Sequence, residues 1–400
     1  MEVVPKSGGN EKSERAKAEG CTVTITHHTT RIIQKTRSPY RSDFEDRPAA
    51  DDHIGRQLWL AKDDKKRTDA AIRLAIQLDD FGDLESSARS KISFINASYS
   101  RDGKSAEELK YNLQCLWYVY YQVGKNIPHT SSEQDTWVLQ IVQAHGQGNL
   151  TRRAQSDNND NTLEIAKTSA GIIWEDLPFF TENMTDFWVN DCATMSPDQR
   201  VNFSCFLAKL ASTGVDDNIC GIALLVFKET FETPRLLGSI DDQSNEDTRW
   251  VLHDLTIAAL LPAAQTWLVV AHNKIIQLSD KLWNSLATVR QDETTFTKSD
   301  LGRRSSAAFS PWRWMYWLKR LEEIKEEAER AGEETLAKSV LNTMEQMLSN
   351  LEDTDTRVQR ELEIAEDLVR NQHRFSRDAL VKREDDGIKW EGHVGTRSLE

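Results

Sequence analysis

Apolar residues recur at intervals of three and four along most of the chain, and each such run predicts a helix with one buried face. The strongest run covers 105–125, where Leu109, Leu113, Leu116, Trp117, Tyr120 and Tyr121 form one stripe that Pro128 closes. Shorter runs predict helices over 67–78, 84–98 and 132–145, the last ended by Gly146. Ser196-Pro197-Asp198-Gln199 combines an N-cap serine, a first-turn proline and a glutamine placed for a capping box. A helix therefore starts there and runs to Ala211, with Val201, Phe203, Cys205, Phe206, Leu207 and Leu210 turned inward. A helix over 218–231 stops before Pro234. One over 247–281 is expected to break or kink at Pro262, because proline removes a backbone donor and crowds the preceding turn.

After polar loops at 147–161 and 289–308, three of the twelve tryptophans fall within six residues, Trp312, Trp314 and Trp317. Ser310 suits an N-cap, Pro311 the first helical position, and Phe309 and Trp314 the two places of a hydrophobic staple. In the resulting helix, 310–330, Trp314, Trp317, Leu318 and Leu321 share a face while Trp312, Met315 and Tyr316 point elsewhere. Such a helix is either sandwiched between two layers or presents Trp312 and Tyr316 as a binding patch, with Arg313 one turn from Trp317 and able to stack on it. The last run carries Ala337, Met344, Leu351, Val358 and Ala365 at intervals of seven and predicts a long amphipathic helix. A neighbour within the chain covers its stripe, or a second copy does so in a homodimer; Thr354 and Asp355 interrupt the seam.

With 18 glycines and 9 prolines in 400 residues, the chain is poorly supplied for the many tight turns of a β fold. The expected fold class is all-α, an extended multi-helix array or irregular bundle with a long amphipathic C-terminal helix. Residues 1–55 are polar and lack a sustained helical period, so they read as a disordered tail. Within it, the alternation at 21–26 could add a strand to a partner's sheet, or be chance. A helical domain follows over 56–332, then the long helix over 333–376 packed on it, then a flexible tail over 377–400.

Charge narrows the chemistry. A formal net charge of −14 argues against nucleic-acid binding, and the basic pairs Arg152-Arg153 and Arg303-Arg304 are short. The longest apolar stretch, 256–270, is interrupted by Pro262, Gln265 and Thr266, so no membrane span is expected. The five cysteines are widely spaced and form no C-x-x-C, which suits reduced thiols. The chain has no phosphate-loop, dinucleotide, metal-binding or serine-hydrolase signature, so no cofactor, no metal and no catalytic residue is assigned. The nearest approach to a catalytic cluster is His253-Asp254 with His272, which would meet only if Pro262 folded two half-helices together. A partly buried helix histidine is the plainer account. Trp174-Glu175-Asp176-Leu177-Pro178 reads as a helix end with the tryptophan in the core. Arg303-Arg304-Ser305-Ser306 has the spacing that many kinases favour, which makes Ser306 a phosphorylation candidate.

The chain resembles a fungal domain-of-unknown-function family of helical proteins over about residues 105–330. The resemblance rests on Leu116-Trp117 ahead of Ile127-Pro128, on the Trp174–Pro178 segment followed by the helix around Asn202 to Leu210, and on Phe309-Ser310 with Arg313, Trp314 and Trp317. It implies an α-helical fold and a fungal source; that family has no established activity to transfer. The resulting expectation is an uncharacterised intracellular protein, placed in the cytoplasm with the nucleus as alternative. It would act as an interaction or scaffold module with a protein partner, rather than with nucleic acid or membrane. The alternative is a small-molecule binder or enzyme with an aromatic-lined pocket. Binding candidates are Trp312, Arg313, Tyr316, His253 and Asp254. An interaction module should expose an apolar patch; a binder should enclose a concavity with converging polar groups.

Overall fold

The structure is a computed structural model that describes residues 53–154, 162–239, 251–284, 293–305, 307–352 and 355–370. Residues 1–52 of the tail expected over 1–55, the tail at 377–400, the alternation at 21–26, and Ser306 lie outside the described residues, while residues 53–55 open a helix and not a tail. The chain divides into two units, 1–63 and 64–400. In the first, the described residues belong to helix α1 (His53–Leu78); everything below concerns the second.

Thirteen helices occur among the described residues. After α1 come α2 (Gly82–Ser100), α3 (Lys110–Asn126), α4 (Ser132–Gly146), α5 (Phe180–Asp191), α6 (Pro197–Ser212) and α7 (Cys220–Phe227). There follow α8 (Ile257–Val270), α9 (His272–Asp280), the single turn α10 (Thr295–Lys298), α11 (Pro311–Ala331), α12 (Glu334–Glu352) and α13 (Arg357–Arg370). The fold is all-α. Helices pack in succession, α2 on α3, α3 on α6, α6 on α8, α8 on α12 and α12 on α11, around one continuous apolar core.

Local sequence rules explain several helix ends. Ser196 accepts from Gln199 N at 3.2 Å while the Gln199 side chain returns to Ser196 N at 3.1 Å, so the capping box that starts α6 is formed. Ser310 caps α11 by accepting from Arg313 N at 3.2 Å, and Gly332, left-handed at φ 78°, ends it. Gly124 has a different reason: a Cβ there would come within 2.7 Å of Phe206, so its bareness lets α3 approach α6.

Four expectations need correction. The helix foreseen over 247–281 starts at Ile257, capped by Thr256, runs unbroken through Pro262, and is interrupted instead at Ala271 between α8 and α9. Burial of nine of the fourteen α8 side chains outweighs the roughly 3 kcal/mol that an interior proline costs. The long C-terminal helix is two helices, α12 and α13, and their stripe (Ala337, Val340, Met344, Leu351, Val358, Leu362) is already buried within the chain. The polar loop at 147–161 begins a short ladder: β1 (Thr151–Arg153) pairs antiparallel with β2 (Leu163–Ile165), and β3 (Lys167–Thr168) with β4 (Gly171–Ile172). Arg152 faces Glu164 across the first ladder and bonds it at 2.8 Å. Finally, the Trp174–Pro178 segment is a turn rather than a helix end. Trp174 (φ 70°), Leu177 (φ 45°) and Phe179 (φ 66°) all take the left-handed region, a cost met by burying all three.

The buried centre of the C-terminal half is a carboxylate. After α7 the chain widens into a π-turn, Lys228–Glu232, which Thr233 and Pro234 terminate. Its last side chain, Glu232, is fully buried. Arg313 Nε and Nη2 each donate to it at 2.7 Å, Trp317 Nε1 at 2.9 Å and Thr294 Oγ1 at 3.1 Å. Arg313 also donates to Ala308 O at 3.0 Å and lies 4.7 Å over the Phe296 ring, so it stacks on Phe296 and not on Trp317. The network thus ties the π-turn to α10 and α11.

Three outcomes test this account. Glu232→Gln keeps the shape but strands the Arg313 charge, and should lower the unfolding free energy in urea by about 3–5 kcal/mol. A loss below about 1 kcal/mol would contradict the role given to the pair. Cys220 is buried, which pushes its thiol up to about 12. Burial raises the half-buried Cys115 thiol as well, so iodoacetamide at about pH 8 should label Cys115 slowly and leave Cys220 untouched until the chain is unfolded, as peptide mapping would show. Glu322 has a buried carboxylate oxygen without a hydrogen-bond partner, and burial raises its pKa. The folded state therefore holds this proton more tightly than the unfolded state, and stability is lost as pH rises through the folded pKa. Glu322→Gln should raise the melting temperature at about pH 7.5 and leave it unchanged at about pH 4.

Candidate functional site

The residues singled out in the sequence go to different places. Arg313 is 4% exposed and Tyr316 8%, both in the cluster around Glu232, where Tyr316 Oη donates to Thr295 Oγ1 at 2.6 Å. Trp312 is half-buried, packs against the core and carries the Arg304 guanidinium 4.8 Å over its ring. The sandwiched reading of the aromatic helix therefore holds. His253 and Asp254 lie on an exposed turn, where the Asp254 carboxylate accepts from Val251 N at 2.9 Å. His272 Nδ1 is 2.8 Å from Val269 O at the far end of α8. A helix of that length, at about 1.5 Å per residue, keeps the two histidines roughly 20 Å apart. The structure does not bring them together. The short basic pairs are occupied as well: Arg152 by Glu164, and Arg303 by Asp300.

A concavity lies where α8 packs against α6 on one side and α12 on the other. It is a groove of about 410 Å³. Its floor is Pro262, Gln265, Thr266, Val269 and Val270 of α8; one wall is Val201 and Cys205 of α6 with His129, and the other is Ser339, Asn342, Thr343 and Gln346 of α12. Helical spacing builds each strip: residues three and four apart stand on one face. Burial pushes the Cys205 thiol up, which leaves it poorly nucleophilic. His129 is fixed from behind, its N–H donating to Asn202 Oδ1 at 2.8 Å and its Nδ1 3.2 Å from the same oxygen. Asn202 also donates to Lys125 O at 3.3 Å, so the turn between α3 and α4 is clamped to α6.

A second concavity of about 320 Å³ opens between α1 and α2. Its rim mixes Asp64, Asp80 and Asp83 with Arg67 and Lys91 over Leu74, Leu78 and Leu84. Asp64 is already engaged, accepting from Tyr111 Oη at 2.6 Å. Similar pairs run along α3, Tyr118 donating to Asp69 at 2.6 Å and Tyr121 to Asp191 at 2.7 Å; burial raises all three phenols and lowers the nearby Lys125. These pairs join helices.

Reading the sequence missed the groove. The signal was present: Pro262, Gln265 and Thr266 break an otherwise apolar α8 at the positions that face it. What the sequence lacked was the pairing of α8 with α6 and α12, which sets those residues beside Asn342 and Gln346. Among the described residues no helix is long and apolar enough to cross a membrane, and no three His, Cys, Asp or Glu side chains converge as metal ligands would.

The family described as "Protein of unknown function (DUF3632)" matches residues 117–321, which carry all but Leu116 of the motifs on which the resemblance was drawn. Oxopyrrolidines biosynthesis cluster protein G of Penicillium oxalicum (strain 114-2 / CGMCC 5302) is 36% identical over 309 residues, which span 76% of this chain and 85% of that protein. No solved structure matches. With half of its length inside the family match and a fungal relative similar over most of both chains, the protein belongs to the DUF3632 family of proteins of unknown function.

Proposed function

We propose that this protein binds a small, uncharged, hydrogen-bonding molecule in the groove between α6, α8 and α12. One observation carries the reading: the twelve residues lining the groove include no Asp, Glu, Lys or Arg, in a chain of which 28% is charged. A charged ligand would lose hydration there without meeting a counter-ion. A neutral one would find apolar contacts from Val201, Pro262, Val269 and Val270 beside amide and hydroxyl groups, the combination by which concave sites hold small molecules. The filled aromatic cluster supports the same choice, because Trp312 and Tyr316 do not form an exposed patch. The relative from Penicillium oxalicum is named for an oxopyrrolidines biosynthesis cluster, and that name supports the small-molecule reading.

A protein-interaction role has one observation in its favour. Leu236 (81% exposed) and Val251 (61%) stand on loops that Arg235 fastens together, donating from Nη1 to Leu252 O at 2.8 Å, His253 O at 2.9 Å and Leu255 O at 2.8 Å. Two fixed aliphatic side chains in water suit a partner's surface, though they make a smaller feature than the groove.

Native mass spectrometry on protein isolated gently from its own cells separates the readings. The wild type should retain a neutral small molecule that denaturation releases, and Val269→Arg, which fills and charges the groove at an already exposed position, should come out bare with an unchanged melting temperature. A wild type that carries no small molecule and travels with a protein partner would replace the groove reading by the interaction one.

A further inference from the structure

The polar side chains of the groove are not equally available. Gln265 Nε2 donates to Ser339 O at 3.1 Å and is 2.9 Å from Ser339 Oγ, which in turn donates to Gln265 Oε1 at 3.1 Å. Thr343 Oγ1 donates to Ser339 O at 3.0 Å and Thr266 Oγ1 to Pro262 O at 2.8 Å. These four are consumed in joining α8 to α12 and in closing their own helix turns. Asn342 and Gln346 are different: both are exposed, both line the groove, and neither is bonded to another described residue. Four residues apart on α12, they stand one above the other, about 6 Å apart, over the apolar floor of α8. From the opposite wall His129, its Nδ1 held by Asn202, has Nε2 left over.

A primary carboxamide carries an N–H and a C=O on one edge. Its best neutral partner is a group that offers the reverse pair on one edge, so that two parallel hydrogen bonds form together. A ring amide does this, because the ring holds its N–H and C=O cis. An extended chain amide holds them on opposite sides, and a ketone or ester has only the acceptor. We infer that Asn342 and Gln346 read a cis amide, and that the ligand of the groove is a lactam or a related ring amide whose carbon skeleton lies on Val269 and Val270. This inference rests on the groove being the binding site and adds the class of compound.

The probes are 2-piperidone, its N-methyl derivative and cyclohexanone, six-membered rings that differ in the amide edge, titrated by ligand-observed saturation-transfer NMR. The wild type should bind 2-piperidone at least about fivefold more tightly than either of the others, the ratio expected for one lost hydrogen bond of about 1 kcal/mol. The paired substitution Asn342→Leu with Gln346→Leu, at exposed positions, should abolish that preference while the melting temperature stays unchanged. Equal binding of all three rings, no binding of 2-piperidone, or a preference that survives the paired substitution would overturn the amide assignment. The groove itself is judged separately, by the retained mass in wild type and Val269→Arg.

Discussion

A carboxylate taken wholly out of water has to be met by charge and by hydrogen-bond donors, and Glu232 is met by Arg313, Trp317 and Thr294 at once. Both ends of the ion pair are buried, Arg313 at 4% exposure and Glu232 at 0%, so neither can be lost without stranding the other. The surrounding packing follows from this constraint. Trp317 turns its indole nitrogen toward Glu232 and its ring onto Phe227, centroid to centroid at 4.5 Å. Thr295, next to the Thr294 donor, reaches Glu232 O at 2.7 Å and receives Tyr316 Oη. The π-turn, the single turn α10 and the first two turns of α11 are therefore one polar-centred block inside an apolar shell.

The block is distinct from the groove, and the separation bears on function. An aromatic cluster with an arginine and a glutamate invites a catalytic reading, but here the Glu232 carboxylate is met by Arg313, Trp317 and Thr294 from within the chain. Such satisfied buried networks fix a unique packing. On the other side of α12, the helix that packs on α11, stand the two unmatched amides Asn342 and Gln346.

The array also explains why α8 tolerates its proline. Its neighbours α6 and α12 cover it from two sides, and Ala258, Leu260, Leu261, Ala263, Ala264 and Trp267 are all buried at 1% exposure or less. Apolar burial on that scale outweighs one lost backbone bond. Where the proline and its polar neighbours Gln265 and Thr266 face outward, between the two covering helices, the apolar shell is open. The groove is the consequence.

Local chemistry in the sequence determined most of the helices, the caps at Ser196 and Ser310 and the burial of the tryptophans at 314 and 317, because period, capping and turn residues act within a few positions of one another. It also carried the family resemblance, whose motifs are short and ordered along the chain. Tertiary structure alone decided what lies far apart in sequence. Glu232 and Arg313 are 81 residues apart, and a glutamate before Thr-Pro gives no hint of a dry core. Pro262 suggested a fold-back that would join His253 to His272, and the helix instead runs unbroken between α6 and α12. Gln265 and Ser339 meet across 74 residues, and that contact places Asn342 and Gln346 at the groove. Periodicity tells a residue which face of its own helix it occupies; only the packed array tells it which other face it meets.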